Sequence, residues 1–256
     1  MAIELKLTAV AGIPAVRPGD DVAELLLSAL DAAGLVLDDG DVLVVAQKVV
    51  SKAEGRLVEL ATVEPSERAL QVAQETDKDA RLVELILQES EEISRMARGV
   101  LIVRHRLGFT SANAGIDRSN VEQDGQGETV LLLPLDPDGS AEQIRRTIDE
   151  RKGVRVGVVI SDSHGRPFRL GTIGVAIGVA GIPALWDRRG EADLHGYLLQ
   201  HTDVGIADEI AAAAGLLMGQ GAEGLPVVLV RGLDLPGMEG RATDLVRPKE
   251  IDLYRG

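Results

Sequence analysis

Residues 3–10 alternate apolar and polar side chains, the period of a half-buried strand. The strand closes at the turn Gly12-Ile13-Pro14, and Arg17-Pro18-Gly19-Asp20-Asp21 leads into a helix over 22–33 with Asp20 or Asp21 as its cap. A turn at 38–41 precedes a short unbroken apolar run, 42–46, that reads as a buried strand, and a further strand falls at 57–60. The period turns helical across 66–90, with a break near Thr76-Asp77. Residues 98–106 and 107–112 form a hairpin-like region feeding the polar loop Gly115-Ile116-Asp117-Arg118-Ser119-Asn120. A strand follows at 128–133, then a helix capped by Ser140 and reaching Lys152. Residues 154–160 are continuously apolar, the mark of a strand covered on both faces. The Gly-rich stretch 171–181 fits tightly packed strand and turn, 204–218 an Ala-rich helix, and 225–231 a last strand.

Strands and helices mix without strict βαβ repetition, which predicts an α+β fold ahead of a doubly wound sheet. Loop-rich stretches at 113–127 and 181–203 mark where two lobes would meet. Hydrophobic residues make up 45% of the chain but aromatics only 2%, so the core must be built from Val, Leu, Ile and Ala. So few rings argue against base-stacking nucleic-acid modules. The lack of cysteine excludes a disulfide framework, a thiolate zinc site and a cysteine nucleophile, and fits a reducing compartment. The first ten residues lack the apolar core of a signal peptide, and no apolar run reaches the ~20 residues needed to span a bilayer. A soluble cytoplasmic protein is expected. The formal charge of −14 repels nucleic acid and anionic substrates at long range. If it does more than maintain solubility, a phosphorylated substrate would need local cations: metal ions or a few placed Lys and Arg.

The strongest local signal is the apolar run that ends in Ser161-Asp162-Ser163-His164-Gly165-Arg166. A carboxylate on the loop ending a buried strand is held rigidly enough to fix a divalent metal, with Ser163 as a neutral oxygen beside it and Arg166 able to fork onto a phosphate. The blander alternative for Asp162 is a turn former or helix cap. Asp117, with Ser119 and Asn120, supplies a second carboxylate, or else an Asx-turn. Gly219-Gln220-Gly221-Ala222-Glu223-Gly224 can bring backbone N–H groups to a nucleotide, or simply cap a helix. Lys48 and Lys52 could neutralise phosphate or sit solvated on an edge. His164 is a candidate base with no evident partner to orient it. No P-loop, no dinucleotide-binding glycine motif, no nucleophile elbow and no zinc-hydrolase His spacing is present.

Six stretches, in order, resemble the coenzyme F420-0:L-glutamate ligase family: Gly12-Ile13-Pro14; Lys48-Val49-Val50-Ser51-Lys52-x-Glu54-Gly55-Arg56; Gly115-Ile116-Asp117-x-Ser119-Asn120-Val121; Val158-Val159-Ile160-Ser161-Asp162-Ser163-x-Gly165-Arg166; Ala207-Asp208-Glu209-Ile210-Ala211; and Met218-Gly219-Gln220-Gly221-x-Glu223-Gly224. The resemblance implies one ligase unit over 1–256 of two intertwined lobes, a homodimer, and GTP bound without a P-loop. It places nucleotide contacts on Gly12, Ile13, Pro14, Ala15, Gln47, Lys48, Lys52, Asn120, Met218, Gly219, Gln220, Gly221, Ala222, Glu223, Gly224 and Leu225. It places metals, Mg²⁺ or Mn²⁺ and two in number, on Asp117, Asp162, Ser163 and Gln220, with K⁺ as a further candidate. Gln47 stands where a Ser is usual, and His164 occupies a variable place. The flavin-binding reductase domain fused to some relatives is absent from this sequence.

The reaction so implied starts with GTP phosphorylating the terminal carboxylate of F420-0. The amine of L-glutamate attacks the acyl phosphate, and later additions build a γ-linked chain. Asp162, Lys52 and Arg166 are the expected catalytic residues; Arg166, Arg169 and the loop 186–189 are candidates for the acceptor pocket. Two rivals remain: a metal-dependent phosphoesterase using the same aspartates, and a non-catalytic nucleotide-binding dimer.

Overall fold

The computed structural model describes residues 3–121, 123, 128–237 and 239–252. In chain order its strands and helices are β1 (Lys6–Ala9), α1 (Val22–Ala32), β2 (Val42–Ala46), α2 (Gln47–Ala53), β3 (Leu57–Glu59), α3 (Glu67–Thr76), α4 (Ala80–Gln88), β4 (Ser90–Ala97), β5 (Val100–His105), β6 (Thr110–Ala112), β7 (Thr129–Leu131), α5 (Pro137–Lys152), β8 (Gly157–Arg166), β9 (Arg169–Ala180), β10 (Trp186–Asp187), β11 (Asp203–Val204), α6 (Ile206–Met218) and β12 (Val227–Arg231). The expected α+β class holds.

The central sheet runs β1-β12-β2-β8-β9, with β2 and β8 parallel and the other neighbours antiparallel. Both its faces are covered, so its strands read as unbroken apolar runs rather than alternating ones. Leu43, Val45, Val158, Ile160, Val227 and Leu229 turn to the core under α1, α2 and α5. Val42, Val44, Val159, Val228 and Val230 turn the other way, to the core under α6. A third core gathers α3, α4, β5 and β7 around Leu60, Val83, Ile86 and Val103.

Strand β9 shows why its sequence is glycine-rich. A Cβ on Gly174 would run into the backbone carbonyl of Ala211 in α6, and one on Gly178 into that of Pro137 in α5. Glycine there lets two helices sit directly on the strand.

Several expectations need correction. The first strand is shorter than 3–10. Strand β8 does not end at Ile160 but continues to Arg166 as half of a hairpin with β9, so Asp162 and Ser163 lie within a paired strand rather than on a loop. Asp136, not Ser140, caps α5: its carboxylate accepts from Gly139 N at 3.0 Å, Pro137 follows with its φ already helical, and Ser140 Oγ donates instead to Glu54. The helical stretch expected over 66–90 ends at Gln88, and β4 occupies Ser90–Ala97, where no strand was expected. The break at Thr76-Asp77 is where expected, with Asp77 left-handed at φ 55°. Of the loop 113–127, residues 122 and 124–127 lie outside the described residues.

Candidate functional site

Lys48 and Lys52 stand one turn apart on α2 and so project to the same side. Lys48 Nζ lies 2.7 Å from Asp117 Oδ2 and donates to Ser119 Oγ at 2.7 Å. Lys52 Nζ donates to Asn120 O at 2.8 Å, and Asn120 Nδ2 donates to Gly221 O at 3.0 Å. A helix, the 117–120 loop and the 219–224 loop, far apart in sequence, are thus stitched together by side chains. Asp117 Oδ1 also accepts from Ser119 N and Oγ, both at 2.7 Å, which is the Asx-type turn. Both readings of Asp117 therefore stand, one on each oxygen. Burial pushes its carboxyl up, but Lys48 and the Ser119 bonds outweigh it, and the net pKa is below the ordinary value.

On the opposite wall, Asp162 and His164 are two residues apart in β8 and share a face. His164 Nε2 is 2.9 Å from Asp162 Oδ2, and both side chains are largely buried. His164 packs against Phe109 at 5.0 Å between centroids, and Phe109 stacks on buried His105 at 5.2 Å. His164 thus has the orienting partner that was not evident from sequence, because the strand it shares with Asp162 was read as loop. Ser163 is exposed on the same wall, and Arg166 Nη2 donates to Leu170 O.

These walls enclose a cleft of ≈ 1090 Å³, at the upper end of the roughly 300–1,000 Å³ usual for one drug-sized ligand. It is lined by Asp117, Asp162, Ser163 and Gln220, by Lys52 and Arg166, and by Ile13, Pro14, Ala15, Gln47, Lys48, Asn120, Met218, Gly219, Gly221, Ala222, Gly224 and Leu225. Gly12 and Glu223 do not line it; the Glu223 carboxylate turns back to accept from Gly221 N at 2.8 Å, shaping the loop from behind. Arg169 lines the cleft, whereas Trp186, Asp187, Arg188 and Arg189 do not, and that loop pairs with itself and with Asp203 and Thr202. Ser111, Thr110 and Thr172 were missed: the first two lie in the three-residue strand β6, and Thr172 in the glycine-rich start of β9, which was read as packing.

Polar atoms in the walls await a partner. Gln47 Nε2, Ser111 Oγ and Arg166 Nε are buried without a hydrogen-bond partner among the described residues. Buried donors left open in a cleft wall fit a polar ligand. For a metal, the donors present are two carboxylates, a hydroxyl and an amide oxygen, and no group of three or more His, Cys, Asp or Glu gathers among the described residues. A sparse all-oxygen set suits a hard divalent cation whose shell is completed by phosphate oxygens and water, not one caged by protein alone.

Comparison with known proteins agrees with this geometry. The family model described as F420-0:Gamma-glutamyl ligase matches residues 12–232. The coenzyme F420:L-glutamate ligase of Methanothermobacter thermautotrophicus is 50% identical over 254 residues, covering 98% of this chain and 99% of that one. The proteins of the same name from Archaeoglobus fulgidus and Methanocaldococcus jannaschii are 48% identical over 246 residues (96% of this chain, 94% of that one) and 46% over 219 (86% of each). With the match spanning both walls of the cleft, the chain belongs to the F420-0:gamma-glutamyl ligase family.

Proposed function

We propose that this ligase joins L-glutamate to the terminal carboxylate of coenzyme F420-0 at the expense of GTP, through an acyl phosphate, and then adds γ-linked glutamates. The observation that carries the reading is the single cleft in which Lys48, Lys52 and the 219–224 loop face Asp162 and Arg166. It puts a nucleotide-sized glycine loop, two lysines and a carboxylate-bearing strand around one space.

A carboxylate resists amine attack because oxide is a poor leaving group. In the first step a carboxylate oxygen bonds to the γ-phosphorus while the bond to the β-phosphate oxygen breaks and its electron pair leaves with GDP. In the second, the amine nitrogen bonds to the carbonyl carbon and the C–O bond to phosphate breaks. Of the two protons the ammonium sheds, one goes to the departing phosphate and one to solvent. Lys48 and Lys52, anchored through Ser119 and Asn120, orient the phosphates, and Gln47 Nε2 offers the nucleotide an unused donor. Arg166 binds the charged acceptor end, and His164 holds Asp162 in position through its 2.9 Å contact. Asp117, Asp162, Ser163 and Gln220 would hold Mg²⁺ or Mn²⁺, which when bound neutralises charge on phosphate oxygens.

The protein is read as a homodimer, since Phe168, Leu170 and Leu194 stand more than nine-tenths exposed, apolar surface that a second copy would cover. The test of function is mass spectrometry of products from purified protein with GTP, L-glutamate and F420-0. Mono- and polyglutamylated F420 with stoichiometric GDP is expected, and Asp162→Asn should abolish both while the fold is retained. GTP cleavage without glutamate would point to a phosphoesterase instead, and normal turnover in the variant would overturn the role given to Asp162.

A further inference from the structure

Behind His164 lies a second cavity of ≈ 470 Å³, whose wall shares His164 and Thr110 with the main cleft. None of the α2 lysines or the 218–225 loop reaches it. Its charged lining carries both signs. Asp208, in the first turn of α6, accepts on Oδ1 from Ala176 N at 2.8 Å; Asp138, in the first turn of α5, accepts on Oδ1 from Val179 N at 2.8 Å and Ala242 N at 3.0 Å. In each, the second carboxylate oxygen has no protein cation within ion-pair distance among the described residues. Burial pushes both carboxyls above their ordinary range, against the backbone N–H groups that hold them. Arg241 and Arg247 also line the cavity, and neither guanidinium forms an ion pair with a described residue. Arg106 is there too, but is taken up by Glu89 and by the carbonyls of Pro134 and Leu135.

We propose that this second cavity is the site of the amino-acid acceptor, with its ammonium on Asp208 and its carboxylates toward Arg241 and Arg247. Half-buried carboxylates and guanidiniums that form no ion pair with a described residue, lining one cavity, are the complement of a dicarboxylic amino acid. Asp208 and His164 both line this cavity, and His164 also lines the main cleft, so an amine held on Asp208 lies toward the residues that the two spaces share. The amine then reaches the activated carboxylate where the two spaces adjoin, at His164 and Thr110, while nucleotide and F420-0 occupy the larger cleft. This assignment rests on the ligase reading above.

The test is steady-state kinetics of the full chain with L-glutamate, GTP and F420-0 each varied, in Asp208→Asn and Arg241→Gln. Asn keeps the oxygen that accepts from Ala176, and Arg241 is exposed, so both variants should fold. The KM for L-glutamate should rise about tenfold or more in each, the loss of one charged hydrogen bond, with the KM values for GTP and F420-0 changing less than about twofold. Calorimetric titration of L-glutamate into wild-type protein with GDP present should give a binding heat that Asp208→Asn removes. Active enzyme with an unmoved glutamate KM in both variants would overturn the site. Glutamate binding that depends on Asp208 in a protein that makes no glutamylated product would instead overturn the ligase reading and keep the site.

Discussion

Glu89 follows α4, nine-tenths buried, and holds together parts of the chain that frame the cleft. Arg56 Nη2 lies 2.7 Å from Oε1, Arg106 Nε 3.1 Å from Oε2, and His105 Nε2 3.5 Å from the same oxygen. Each arginine carries the contact onward, Arg56 to Leu133 O and Arg106 to Pro134 O and Leu135 O. Burial alone would raise the Glu89 carboxyl, but His105, Arg56 and Arg106 prevail and hold it at about 2 instead of 4.5. A folded pKa below the unfolded one means the unfolded chain binds more protons in between. The stabilisation is therefore complete above about 4.5 and is lost as pH falls toward 2. A depression of this size corresponds to roughly 3 kcal/mol, in line with the ~3–5 kcal/mol cost of removing one partner of a buried pair.

Glu89→Gln should thus unfold in urea with about 3 kcal/mol less stability than wild type at neutral pH, a fall of roughly 6–12 °C in Tm for a chain of this size. Titrations repeated from about pH 7 to about pH 3 should show the gap holding down to about 4.5 and then narrowing. A gap that stays constant across that range would show that the loss is one of packing, and a missing gap at neutral pH would show that the ion network contributes nothing net.

Gly174→Ala forces a Cβ against the Ala211 carbonyl and should cost about 1–3 kcal/mol through displacement of α6 from β9, read as a lower Tm. Lys48→Met leaves the half-buried Asp117 without its cation and should weaken GDP binding about tenfold or more in calorimetry; unchanged binding would remove Lys48 from the nucleotide site.

The strands of the central sheet were legible because both faces are covered: β2, the buried start of β8, and β12 are runs of Val, Leu and Ile that no solvent-facing residue interrupts. The glycines of β9 were legible as close packing for a reason that lies in other elements, the carbonyls of Ala211 and Pro137. What was hidden has the opposite character. β4 spells Ser-Glu-Glu-Ile-Ser-Arg-Met-Ala, with bulges that break its alternation. The far half of β8 is polar because it faces the cleft, so the pattern that marks a strand stops where function begins. The expected site residues that line the cleft come from stretches that each carry a local pattern. Those of the second cavity do not: Thr110, Asp138 and Arg241 have no neighbours that mark them, Asp208 stood out only as part of a family-like stretch, and the four meet only through packing.

The placement of charge resolves how a chain of formal charge −14 can take anionic substrates. The sequence-based expectation gave the compensating charge to metal ions and a few placed Lys or Arg. Four basic side chains, Lys48, Lys52, Arg166 and Arg169, line the cleft against only two carboxylates, Asp117 and Asp162. One of those carboxylates is already paired with Lys48. The excess acid therefore lies elsewhere, on surface where the roughly 8 Å Debye length of physiological salt screens it from the cleft. Inside, with water partly excluded, the same few cations act at closer range and with less screening than the surface acids do. A local excess of positive charge in an acidic chain is thus a property of the walls themselves, and any divalent cation held by Asp117 and Asp162 would add to it rather than supply the whole.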